Sequence, residues 1–307
     1  MKKPASKLST VFCVNGELTD GGGEDSFYYG ADGERLTVAV FDGCGGSGAR
    51  RYAAYSGMSG AYVGARAVCG AYEDWFARKD NSLSTLESSI ADSLAICTDN
   101  AEKSTLIKGK LGKTFPTTMA AMIAYSDAER LKTSCLWAGD SRCYCLDESG
   151  LHQLSMDDIE GGDAMSNLSG DGVLKNVICA DGKPMIHHAE YEIQMPCMIF
   201  AATDGCFAYM RTPMLFEQEL LACVSGAKNV AECREMLRQV FEEYSGDDYT
   251  ICLAGYGFDS FDEMARFCRK RLTTLRDCFI GDDERDTELW ERYKPLYYSY
   301  ILEDTGK

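Results

Sequence analysis

The spacing of hydrophobic positions along this chain changes period several times. Residues 36–42 (LTVAVFD) form a short apolar run rich in β-branched side chains that stops at an acidic turn, the pattern of a buried strand. Glycines follow in GCGGSG, 43–48. From Ala49 to about Arg78 small and apolar residues recur at helical intervals, and Leu83, Leu86, Ile90 and Leu94 do so again, which predicts two successive amphipathic helices. After Thr117 the segments TTMAAMIAYS, TSCLWAG, RCYCL and LHQL, parted by the turn-like DAER, DS and DESG, predict an antiparallel meander. Residues 156–188 are rich in Gly and Asp with weak periodicity and read as a long loop or flap, which inside a compact domain is usually functional. CMIFAATDG (197–205) is another buried strand running into an acidic turn, and helical spacing over 213–224 and 230–244 leads through SGDD to a last strand, YTICLAGYG. Beyond Asp259 the chain is charged and aromatic, with helical spacing through FDEMARFCRKRL and ELWERYKPLYYSYI.

With 45% apolar residues, the 307-residue chain has material for a substantial buried core. No repeat or low-complexity linker marks a boundary before about residue 257, so one domain over 1–256 and a helical C-terminal extension over 257–307 are expected. A formal net charge of -17 argues against nucleic acid and against anionic membranes as partners, since both would repel it. The fifteen cysteines show no paired CxxC spacing and read mostly as small buried apolar residues. The start, MKKPASKLSTVFCVNG, has two lysines but no apolar stretch of signal-peptide length, and no run approaches a membrane span. A reducing, cytoplasmic setting is the expectation.

Acidic residues stand where predicted strands stop or start: Glu24-Asp25, Asp42, Asp204 and Asp247-Asp248. Any one Asp-Gly pair is ordinary turn chemistry. Asp42-Gly43 and Asp204-Gly205, however, each directly follow an apolar strand, and GDD directly precedes a third, so the acids can gather at one sheet edge. Oxygen donors of this kind suit Mg²⁺ or Mn²⁺, whereas His152, His187 and His188 have no ligand spacing.

In this order the segments resemble the metal-dependent protein phosphatases of type 2C: EDSFYYG (24–30), AVFDGCGG (39–46), TFPTTMAAMIA (114–124), WAGDSRCYCL (137–146), AATDG (201–205) and GDDYTICLA (246–254). The resemblance spans roughly residues 10–256. It implies an α+β fold, a four-layer αββα sandwich of two antiparallel sheets packed face to face with helices outside, and serine/threonine phosphatase activity on a phosphoprotein substrate. It implies two Mn²⁺ or Mg²⁺ ions, with Asp42 bridging them, Glu24 and the Gly43 carbonyl on one, and Asp204 and Asp247 on the other. Asp25 would orient the attacking water, and Asp140 matches a position that binds a third, weaker ion in some members.

The chain departs from the family pattern in places. Asp20 stands where an Arg commonly grips the substrate phosphate, making Arg50 and Arg51 the replacement candidates. Cys44 stands where many members have a His that protonates the leaving group, so its thiol is the candidate acid. Asp248 replaces an Asn, and Ala208 an extra acid. Two rivals are a dinucleotide fingerprint, formally present at Gly43, Gly45 and Gly48, and a phosphatase-shaped module that binds a phosphoprotein without hydrolysing it. The first is disfavoured because two helices precede the next strand and Asp42 would face the pyrophosphate. In the tail, Trp290, Tyr293, Tyr297, Tyr298 and Tyr300 form an aromatic face that either packs on its own domain or meets a partner.

Overall fold

The computed structural model describes residues 8–33, 35–78, 82–102, 113–126, 129–168 and 173–304. The first seven residues, the first half of the DAER turn (127–128), part of the flap (169–172) and residues 305–307 lie outside the described residues.

In chain order the elements are β1 (Leu8–Gly16), β2 (Ser26–Asp32), β3 (Arg35–Phe41), the one-turn α1 (Gly45–Gly48), and the ribbon β4 (Arg51–Tyr52) and β5 (Met58–Ser59). They continue with α2 (Gly60–Phe76), α3 (Leu83–Glu102), β6 (Met119–Ser126), β7 (Arg130–Ala138), β8 (Arg142–Leu146), β9 (Leu151–Gln153), β10 (His187–Gln194) and β11 (Cys197–Ala202). The last are α4 (Pro213–Gly226), α5 (Val230–Tyr244), β12 (Tyr249–Tyr256), α6 (Phe261–Phe279), α7 (Asp286–Tyr297) and α8 (Ser299–Asp304).

The strands form two antiparallel five-stranded sheets, β1-β12-β11-β8-β9 and β10-β7-β6-β3-β2. Because side chains alternate across a strand, each sheet buries both faces in different company. Val38 and Val40 of β3 meet Ala120 and Met122 of β6 and, from the opposite sheet, Cys143, Cys145, Ile199, Ala201, Cys252 and Ala254 in one inner core. The intervening Ala39 and Phe41 turn outward onto α2 and α3, where Phe41 packs on Tyr72 at 5.8 Å between ring centroids. Tyr144, Phe200, Ile251 and Leu253 turn the other way, onto α4, α6 and α7. The result is the four-layer αββα sandwich.

Two local expectations change. The helix predicted from Ala49 begins only at Gly60, because 51–59 is taken up by the β4–β5 ribbon before Ser59 caps α2 by accepting from the Tyr62 amide at 3.0 Å. The predicted meander is split: β6 and β7 pair in one sheet, β8 and β9 in the other, so the chain changes sheets at Gly139–Ser141. Of the two readings of the tail's aromatic face, packing on its own domain is the one seen: Trp290, Tyr293, Tyr297 and Tyr298 are buried in the same outer core as Phe12, Tyr144 and Phe200, and the Tyr300 hydroxyl donates to Asp147 at 3.0 Å. Each such burial contributes about 1.5–3 kcal/mol. All fifteen cysteines are free thiols, and most are buried. No helix among the described residues is long and apolar enough to cross a membrane.

Candidate active site

Glu24 and Asp25 stand just before β2, and Asp42 just after β3, in one sheet; Asp204 follows β11, and Asp247 and Asp248 precede β12, in the other. Asp140 occupies the crossing between them. All of these strand ends lie at one end of the sandwich, and Glu24, Asp42, Asp140, Asp204 and Asp247 line one cleft of about 930 Å³ together with Gly43 and Cys44.

Glycine follows Asp42 and Asp204 for close approach, not for a left-handed turn. A Cβ at Gly43 would sit 2.7–2.8 Å from backbone atoms of Ala61 and Glu24, and one at Gly205 only 1.9 Å from the Asp248 carbonyl. Neighbouring backbone and hydroxyl groups then fix the acids. The Asp42 carbonyl accepts from the Thr118 amide at 2.8 Å and the Thr117 hydroxyl at 2.7 Å. The Asp248 carboxylate accepts from the amides of Leu18 and Glu24, both at 2.7 Å, and so pins the β1–β2 connection instead of facing the cleft. Ser59 donates to the Glu24 carboxylate. Asp25 lies behind the cleft floor, its Oδ2 accepting from the hydroxyls of Thr203 at 2.9 Å and Thr250 at 2.7 Å.

Crowding and burial leave these carboxyls reluctant to ionise. Burial, then Asp204, Asp25, Asp140 and Asp247, push Asp42 well above the ordinary carboxylate range. Burial raises Asp25 to about 8 and Asp140 to about 8, each with neighbouring acids adding to it, and burial with Asp247 raises Asp204 to about 6. Burial also raises Glu24 and Asp247. Burial and the facing Asp42 push the Cys44 thiol well up, so it stays protonated at neutral pH.

The donor set fits hard divalent cations. It is all oxygen, it is over-supplied with negative charge, and Asp140 Oδ1 is buried with no hydrogen-bond partner among the described residues. Among the described residues no three His, Cys, Asp or Glu side chains close into a ready-made shell. The acids ring a cleft, as suits ions that take one or two carboxylates and fill their remaining positions with water.

Arg50 and Arg51 are not among the cleft-lining residues. The Arg50 guanidinium lies 4.9 Å over the Tyr52 ring, and Arg51 donates to the Gly57 carbonyl at 3.1 Å, near enough to Glu24 to favour its ionised form. Arg50 directly precedes, and Arg51 opens, the ribbon that replaces the expected helix start. Among the described residues, the cations that line the cleft are Lys113 and Arg142. Arg142 is buried and committed to Asp157 through Nε at 2.9 Å and Nη2 at 2.6 Å, with its guanidinium 4.1 Å over Phe207. Lys113 makes no ion pair among the described residues, and its amide donates to Ser47 O at 3.1 Å, beside the glycine turn. Sequence reasoning missed Asp157 inside the aperiodic flap and Lys113 before TFPTT. Arg142 was visible in G-D-S-R, but without its partner.

No family model and no curated protein matches the sequence. The fold is similar to that of the serine/threonine phosphatase PstP/Ppp of Mycobacterium tuberculosis, with a TM-score of 0.56 and 16% identity over 82% of this chain and 100% of that one. The chain has the type 2C-like phosphatase fold. Stp1 of Staphylococcus aureus shares this phosphatase fold at a TM-score of 0.55 and 14% identity, over 83% of this chain and 99% of Stp1. So does the PstP catalytic domain in complex with two manganese ions, at a TM-score of 0.53 and 16% identity over 81% of this chain and 98% of that one.

Proposed function

We propose that this chain hydrolyses phosphoserine and phosphothreonine monoesters of proteins, using Mn²⁺ or Mg²⁺ ions held by the cleft carboxylates. The observation that carries the proposal is the convergence of acids from both sheets on one cleft, where burial and mutual crowding disfavour their charged forms unless a cation offsets them. Glu24, Asp42 with the Gly43 carbonyl, Asp204 and Asp247 are the ligands proposed for two ions, and Asp140 is the donor proposed for a further one. Such ions, when bound, acidify water and neutralise phosphoryl oxygens.

The protein's own groups do the rest. Asp25 is a positioning residue: bonded to Thr203 and Thr250, it ties the start of β2 to the ends of β11 and β12 that carry Asp204 and Asp247. Cys44, lining the cleft with its proton retained, is the group to protonate the departing serine or threonine oxygen. Lys113 takes the substrate phosphate in place of the arginine pair, as a point charge at the cleft wall.

The test is turnover of an aryl phosphate and a phosphothreonine peptide with and without Mn²⁺. Asp42→Ala and Asp204→Ala should each lose on the order of 10²-fold or more of metal-stimulated kcat/KM. Lys113→Ala should raise KM for both substrates about tenfold, with Lys113→Arg restoring it and the Arg50→Ala/Arg51→Ala pair leaving it unchanged. Mn²⁺ binding by the wild type without turnover of either substrate would overturn the hydrolase assignment in favour of a phosphoprotein-binding module.

A further inference from the structure

The C-terminal helices reach the cleft through the flap. Asp163, in the flap, accepts through Oδ2 from Trp290 Nε1 at 2.9 Å and Lys294 Nζ at 2.6 Å, both on α7. One residue on, the buried Ala164 amide donates to the hydroxyl of Tyr298, just past the end of α7, at 2.7 Å, and Met165 and Leu168 pack on the same core as Trp290 and Tyr297. The other oxygen of Asp163 accepts from the Ser166 amide at 3.0 Å and hydroxyl at 2.7 Å, winding 163–168 into a tight turn. From that turn Asn167 donates to Asp157 Oδ2 at 2.9 Å, on the carboxylate that also holds Arg142. Asp157, Asn167, Leu168 and Arg142 all line the cleft. A second route runs from the Tyr297 hydroxyl to that of Tyr144 at 3.3 Å, which in turn accepts from Arg142 Nη1 at 3.2 Å.

We infer that α7 is a built part of the substrate cleft: Trp290, Lys294 and Tyr298 are positioning residues that hold the flap turn 163–168 as one wall, and thereby set affinity for the phosphoprotein. This rests on the hydrolase assignment for its substrate, but not for its geometry. A wall of Leu168 and Ile159 beside an acidic floor contacts the polypeptide around a phosphorylated residue, whereas a small aryl phosphate needs only the floor. Loosening the wall therefore acts on peptide binding and leaves the chemical step alone.

The experiment compares the Trp290→Phe/Lys294→Met double variant, which keeps an aromatic and an aliphatic side chain at these positions and removes both donors to Asp163, with Tyr293→Phe, which alters an α7 contact to Glu217 away from the flap. In the full-length, Mn²⁺-loaded protein the double variant should raise KM for a phosphothreonine peptide about tenfold, with kcat and the aryl-phosphate KM unchanged within about twofold. Amide exchange over 163–168 should accelerate by about the same factor, and Tyr293→Phe should do neither. Unchanged exchange in the flap overturns the inference, as does an equal effect on both substrates. If the wild type turns over neither substrate, the hydrolase assignment fails on its own, while flap exchange and phosphopeptide anisotropy still decide whether α7 holds the wall.

Discussion

Asp140 concentrates the physical problem of the site in one side chain. Its Oδ1 is buried without a donor among the described residues, and burial beside Asp204 and Asp157 raises its carboxyl to about 8, in company with Asp25, also at about 8. An unfolded Asp titrates near 3.9. Between about pH 4 and about pH 8 the folded protein therefore holds more protons than the unfolded chain, and stability falls as pH rises through that window. The metal-free protein should accordingly have its highest Tm at the acid end of the window and lose several degrees toward pH 8, and saturating Mn²⁺ should flatten or reverse the slope. Thermal melts across pH, with and without Mn²⁺, check this. A Tm that rises with pH in the metal-free protein would show that the acids are not crowded as described. At this scale part of the arrangement was legible: Asp42 and Asp204 follow apolar strands and Asp247 stands just before one, and the structure brings all three, with Glu24, to one cleft. The sequence could not show that Asp25 and Asp248 bond to neighbouring hydroxyls and amides instead of facing the cleft, because their partners are up to 230 positions away.

Elements tell a parallel story. Strand β3 and strand β8 were legible from their own residues, since each is a short run bounded by turn residues. The change of sheet at Gly139–Ser141 was not, because a turn sequence says that the chain reverses but not which neighbour it meets. The ribbon before α2 was hidden for a related reason: its small residues fit helical spacing equally well, and pairing of Arg51 with Ser59 decides the matter. That ribbon delivers Ser59 to two tasks at once, capping α2 through the Tyr62 amide and donating to Glu24. Ser59→Ala should cost about 1 kcal/mol in urea denaturation through the cap. It should also weaken Mn²⁺ binding by calorimetry about tenfold or more, since hydrogen-bond donors that orient a metal ligand typically matter by about 10–100-fold when removed. A loss of stability with unchanged Mn²⁺ affinity would separate Glu24 from the metal.

In the whole molecule the helical extension and the residues before it share one core, so the aromatic spacing of the tail pointed to a real face whose partner is this chain itself. The same scale explains the site's layout. Glu24 and Asp42 ride on one sheet, Asp204 and Asp247 on the other, and the gap between them is set by the layer joining the sheets, where Ala120, Ala201, Ala254, Cys143, Cys145 and Cys252 are fully buried. Enlarging that layer by Ala201→Leu should cost about 1–3 kcal/mol of overpacking. It should also lower Mn²⁺ affinity measured by calorimetry, with unchanged affinity as the contrary result. The sandwich thus behaves like a calliper, its two jaws tipped with acid and its opening gauged by thin alanine and thiol shims lying between the arms. Any change in the thickness of those shims, including oxidation of a thiol, would be felt at the tips.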